Sequence, residues 1–174
     1  MARAEPAVRP AEDALSRAAE ALDAAGDVAM ACHVNPDADA LGSMLGLSAF
    51  LRARGKRTVC SYGNDPFDHP RWVSELPGSD ALVHPRQFPK APPVLVTLDC
   101  ASLDRLGQLA STVARAGTVV WIDHHASNEG LGTIPLIDPK ASSTAEMVFR
   151  LMERMGGEVS AGWIPAAWRS AWVR

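Results

Sequence analysis

Short, nearly unbroken apolar runs alternate along this chain with longer segments in which apolar residues recur every three or four positions. Val28–Cys32, Pro93–Leu98 (PVLVTL) and Thr118–Ile122 (TVVWI) are the runs expected of strands buried on both faces. Lys56–Tyr62 alternates enough to form another strand, and Thr133–Ile137 a further short one. The helical period predicts Ala-rich helix over residues 10–25, with Leu15, Ala18, Ala19 and Leu22 as its apolar stripe and Gly26 suited to the position just past its end. It predicts further helices over Leu41–Arg54, stopped by Gly55, over Leu103–Ala116, ended by Gly117, and over Ser143–Met155, with Ser143 or Thr144 as N-cap and Glu146 soon after. The polar segment His33–Ala40 contains Pro36 and reads as a loop. Residues 63–92, rich in Pro and Asp, give only a short helix near Arg71–Leu76 and a brief strand at Ala81–Val83.

Strands alternating with helices imply an α/β fold, a mostly parallel sheet with helices on both faces. In such sheets ligands bind beyond the carboxyl ends of the strands. His33, Asp99 and Asp123 each follow a strand-like run directly. That agreement draws attention to three polar clusters: His33-x-Asn35-Pro36-Asp37-x-Asp39, the lone Asp99, and Asp123-His124-His125.

The chemistry of these clusters is hard-ligand chemistry. His33, Asp37 and Asp39 stand at i, i+4 and i+6, and a curled loop would turn all three inward. Carboxylates drawn that close repel unless cations lie between them. Oxygen donors with a minority of imidazole suit Mn2+ or Mg2+ better than structural zinc. Asp99, at the tip of a central strand, is placed to bridge two ions, and His124 would complete the second. Each cluster alone has a plain reading: Asp-x-Asp as solvated surface, His-His as coincidence, Asp99 as the cap of a helix starting near Ser102. The joint placement after three strands carries the metal-site reading, and with it metal-assisted hydrolysis of a phosphate ester.

Composition limits the alternatives. The 174 residues suit one domain with a core of its own, 47% hydrophobic and 21% charged. A net charge of −3 leaves no global basic field for nucleic acid, so nucleotide binding must be local and draw on bound cations. Cys32, Cys60 and Cys100 are odd in number and lack CxxC spacing, which points to buried thiols in a reducing compartment, with Cys32 and Cys100 lining the wall of the site. No apolar run approaches the roughly 20 residues that span a bilayer, and the first residues lack a signal-peptide stretch; the expectation is a cytoplasmic protein with no membrane partner.

The segments HVNPDADALGS, LVTLDCASLDRLG and WIDHHASN resemble the first three motifs of the DHH phosphoesterase superfamily, which includes RecJ-type exonucleases, family II pyrophosphatases and exopolyphosphatases. The DALGS ending and the segment PKASSTAEMV are most similar to the bifunctional type that degrades oligoribonucleotides and removes phosphate from 3′-phosphoadenosine 5′-phosphate. The resemblance runs from about Val28 to Gly156. It implies a DHH-type N-terminal domain and two divalent metal ions, Mn2+ before Mg2+. His33 and Asp37 would hold one ion, Asp39 and His124 the other, with Asp99 bridging. His125 would face the substrate phosphate or leaving group, Asp123 would orient the His pair, and Asn35 would touch water or phosphate. Arg105 is either structural or a phosphate contact. Ser142, Ser143 and Thr144 open a helix whose amides either meet a phosphate or are simply capped. The implied partners are short RNA or a phosphorylated adenosine nucleotide, with a homodimer as an option.

The chain also departs from the family pattern. No Asp occurs after Asp138, where a fourth motif would end in one, and no Gly-rich second domain follows. Residues 1–157 are therefore expected to form an incomplete DHH domain with its second domain absent, and residues 158–174, with Trp163, Trp168 and Trp172, an atypical tail. On that reading activity is impaired, and the competing readings are a family II pyrophosphatase-like hydrolase and an inactive nucleotide- or metal-binding remnant.

Overall fold

Five parallel strands form one sheet in the computed structural model, which describes residues 10–68 and 71–157. They are β1 (Asp27–Cys32), β2 (Arg57–Tyr62), β3 (Val94–Leu98), β4 (Thr118–Asp123) and β5 (Ile134–Ile137), in the spatial order β2-β1-β3-β4-β5. The apolar runs become the central strands because both their faces are covered. Every residue of β3 is buried, and in β1 and β4 only the first residue is not.

The two faces are covered unequally. Val28, Met30 and Cys32 of β1 and Val94, Val96 and Leu98 of β3 join a large core with α1 (Pro10–Ala24), α2 (Ala38–Ala53) and α5 (Thr144–Arg154). The alternate residues Ala29, Ala31, Leu95, Val119 and Trp121 face a smaller core closed by Phe88, Leu106 and Leu109. Among the described residues, that second face is covered by the 3-10 segment Leu103–Leu109, the single turn α4 (Ala110–Val113) and the loop residue Phe88. The links from β1 to β2 and from β3 to β4 run in opposite directions across the sheet, and right-handed crossovers place their helical segments on opposite faces. Strand order therefore reverses between β1 and β3, and a crevice opens at their carboxyl ends.

Several boundaries differ from the sequence expectation. The helix expected from Leu41 begins at Ala38, because Asp37 is its N-cap and accepts the Ala40 amide at 3.0 Å. Gly55, at φ 79°, follows its C-cap as expected, whereas Gly26 is not among the glycines with positive φ. The helix expected over Leu103–Ala116 is broken at Gly107 (φ 53°, ψ −127°). Here Arg105 O accepts the Val34 amide at 2.8 Å, and the Gln108 amide donates to Gly63 O at 3.1 Å, so the backbone groups of a continuous helix are bonded to neighbouring loops instead. The short helix near Arg71 is α3 (Arg71–Ser74). The strand expected at Ala81–Val83 is reduced to one bridge, Leu82 to Cys60, after a 3-10 turn at Ser79–Ala81. The tail from residue 158, with its three Trp residues, lies outside the described residues.

Candidate metal centre

The crevice between β1 and β3 is where the three polar clusters meet. β1 delivers His33, β3 delivers Asp99 and β4 ends in Asp123, all at the same edge of the sheet. Asp99 is the hub. It is 3% exposed and has φ 56°, a left-handed backbone uncommon outside glycine, which turns its side chain back over the strand ends while its amide donates to Ile122 O. Its Oδ2 lies 3.5 Å from His33 Nε2, and its Oδ1 lies 3.7 Å from both His124 Nε2 and His125 Nδ1.

Two donor groups share this carboxylate. Ligand atoms of His33, Asp37 and Asp99 lie within 4.8 Å of one another, and so do those of Asp99, His124 and His125. Asp39 approaches the second group, with Oδ2 3.8 Å from His124 Nε2. The residues fit hard cations on their own chemistry: three carboxylates and several imidazoles converge, and one oxygen of Asp99 faces each group.

The surroundings hold these donors in place. His33 Nδ1 lies 2.8 Å from Val34 O, a contact that requires Nδ1–H and leaves Nε2, which faces Asp37 and Asp99, to carry either a proton or a cation. The Arg105 guanidinium, 3.1 Å from the same Nδ1, is then a flanking cation. Burial disfavours a charged His33, but the hydrogen bonds to Asp99 and to the Val34 carbonyl outweigh it and raise its pKa. Burial likewise opposes charge on Asp99, and its bonds with His33 and Thr144 overcome that and lower its pKa. Asp39 ends higher than an ordinary carboxyl, because burial, helped by the charge of Asp99, exceeds the help of its amide donors.

Those donors come from α5. The Thr144 amide donates to Asp39 Oδ2 and the Ala145 amide to Asp39 Oδ1, both at 2.9 Å, and the Thr144 hydroxyl donates to Asp99 Oδ1 at 2.9 Å. Ser143 is the N-cap and accepts the Glu146 amide at 3.1 Å, while Ser142 donates to Glu146 through both its amide and its hydroxyl. Of the two readings left open for the start of α5, phosphate contact or simple capping, neither included what its amides do here, which is to donate to the protein's own Asp39.

His125 is held by Asp123, Nδ1 to Oδ1 at 2.7 Å; that bond is the main reason its pKa is raised. Asp123 is fully buried and accepts Asn128 Nδ2 on its other oxygen at 2.6 Å, and Asn128 Nδ2 also lies 3.1 Å from Cys100 O. Asn35 has φ 53°; its backbone amide donates to Asn64 Oδ1 and its Oδ1 accepts Asn64 Nδ2, both at 2.8 Å. The pattern offered no role for Asn64 or Asn128; Asn128 is the last residue of the quoted DHHASN segment and carried no chemical signal of its own.

Known proteins resemble this chain over most of its length. The profile described as the DHH family, N-terminal domain, matches residues 27–167. Over 146 residues the chain is 38% identical to the bifunctional oligoribonuclease and PAP phosphatase NrnA of Thermus thermophilus, covering 82% of this chain and 42% of that protein. It is 27% identical over 118 residues to a probable protein of the same name from Streptococcus mutans, covering 67% of this chain and 35% of the relative. The crystal structure of an exopolyphosphatase-related protein from Bacteroides fragilis superposes with a TM-score of 0.75 at 29% identity, over 83% of this chain and 44% of the other. The chain spans less than half the length of each of these relatives.

Proposed function

Since the chain belongs to the DHH family, matching its N-terminal domain, we propose that it is a divalent-metal phosphoesterase acting on short oligoribonucleotides and on 3′-phosphoadenosine 5′-phosphate. The observation that carries this reading is the single buried carboxylate shared by two donor groups, Asp99 between His33 and Asp37 on one side and His124 on the other. In this reading His33 and Asp37 would hold one ion and Asp39 and His124 the other, with Asp99 shared between the two groups; Mn2+ is the preferred ion and Mg2+ the alternative. The ions, when bound, supply Lewis acidity to a phosphoryl oxygen and lower the pKa of water.

The chain's own residues supply orientation and a proton. Asp123 fixes the His125 ring through Nδ1 and favours its protonated form. His125 is therefore assigned as the group that protonates the leaving oxygen as the phosphorus–oxygen bond breaks. Arg105, exposed at the rim beside His33, is assigned a phosphate contact. Asn35 is assigned to loop shape through Asn64 rather than to substrate, because its Oδ1 already accepts the Asn64 amide. Family II pyrophosphatases share this type of ligand set, so pyrophosphate belongs in the same assay.

The test is hydrolysis of 3′-phosphoadenosine 5′-phosphate, a short RNA and pyrophosphate, with Mn2+ and after chelation. The expected result is Mn2+-dependent release of phosphate or mononucleotide, abolished by Asp99→Ala. Turnover that survives chelation or Asp99→Ala would refute the proposal, and preferential hydrolysis of pyrophosphate would replace its substrate assignment.

A further inference from the structure

We propose that Thr144 is a positioning residue for the shared carboxylate, and that the first turn of α5 sets the affinity of the site for its cations. The proposal rests on the two-ion reading above. Thr144 is completely buried at the site, and its hydroxyl lies 2.9 Å from Asp99 Oδ1. That oxygen faces His124 and His125, while Oδ2 faces His33. Rotation of the carboxylate would exchange the two oxygens and misdirect both. The Thr144 hydroxyl marks one of them, and so fixes which oxygen serves which donor group.

The same residue acts on the second carboxylate. Its amide, with that of Ala145, donates to Asp39, one amide to each oxygen. Two like charges are thereby drawn toward one helix N-terminus, where the unpaired amides and the helix dipole favour anions. In the chain without cations this is what holds Asp39 and Asp99 in converging positions. Asp39 Oδ1 also accepts the Ser43 hydroxyl at 3.4 Å, whereas Asp39 Oδ2 and Asp99 Oδ1 each accept one of these bonds and keep a lone pair for an ion. The turn therefore pre-forms the site instead of competing for it.

The experiment uses Mn2+ alone, without substrate. Binding is followed by equilibrium titration, and the thermal midpoint is recorded with and without Mn2+ for the native chain, Thr144→Val and Thr144→Ser. Thr144→Val keeps the shape and removes the donor; it is expected to bind Mn2+ about 10-fold more weakly, as expected when a group supporting a ligand is lost. It is also expected to lose part of the Mn2+-induced rise in midpoint. Thr144→Ser keeps the donor and is expected to match the native chain. A purely structural role would lower both midpoints together and leave the Mn2+-induced rise intact, which would overturn the proposal. Equal Mn2+ affinity in Thr144→Val and the native chain would do the same while leaving the two-ion reading standing. A native chain that binds no Mn2+ would overturn both. Should Thr144→Val fail to fold, a 10-fold loss in Thr144→Ser would still refute the role of the hydroxyl.

Discussion

The buried carboxylate of Asp123 and the ring of His125 are joined by a 2.7 Å bond to Nδ1, and Asn128 pins the other Asp123 oxygen. This bond favours the imidazolium, so the protonated ring persists to higher pH than in an unpaired histidine. Its contribution to stability is accordingly full below the ordinary histidine value and fades as pH rises through the elevated one. Asp123→Asn is expected to move the His125 titration to lower pH, read from its ring proton shifts by NMR in the cation-free chain. An unchanged titration would show that Asp123 does not control the ring.

Gly63 and the 3-10 segment Leu103–Leu109 meet backbone to backbone. A Cβ at Gly63 would stand 2.0 Å from Leu106 O and 2.7 Å from the Gln108 amide. Both atoms are main chain, so relief requires the whole segment to move, and Arg105 with it. Gly63→Ala is expected to lower stability by about 1–3 kcal/mol, the range for overpacked sites, as measured by urea unfolding. Native-like unfolding of this variant would contradict the packing at the segment.

The three cysteines are buried and free. Burial pushes the Cys60 and Cys100 thiols from an ordinary value of 9.0 up to about 12. A thiol whose pKa is raised by folding stabilises the fold fully below 9.0 and loses that contribution as pH climbs toward 12. Urea midpoints are thus expected to fall between pH 8.5 and pH 10.5 on the order of the unfolded thiol titration. At pH 8 a thiol reagent such as DTNB is expected to label the protein only after denaturant is added, because only thiolates react. Rapid labelling of the native chain would contradict this burial.

Much of the sheet was legible because burial on both faces leaves an unmistakable mark: β3 and β4 carry almost nothing but apolar residues. The meeting place of the polar clusters was legible for a related reason, since His33, Asp99 and Asp123 stand at the ends of such runs, where a parallel sheet opens its crevice. Helix starts were less so. Asp37 and Asp39 looked like loop residues because they are polar, yet Asp37 caps α2 and Asp39 lies in its first turn, a position that suits an acidic side chain. The break at Gly107 was invisible because its cause is a partner 44 residues away, Gly63. The grip of α5 on Asp39 spans 105 residues, beyond the reach of any local pattern. A serine and a threonine opening a helix look the same whether they await a phosphate or already hold a carboxylate.

One further consequence comes from the first helix. α1 lies against β5 and α5, the last elements of the described chain. Arg17 donates to Thr133 O at 2.9 Å, and Arg154 reaches Glu12 at 2.5 Å. In the order of synthesis α1 is made well before β5 and α5, the elements it seats against. Its apolar stripe must wait until more than a hundred residues have followed. The seat of α1 thus joins segments far apart along the chain, the kind of non-local pairing whose loop closure slows folding.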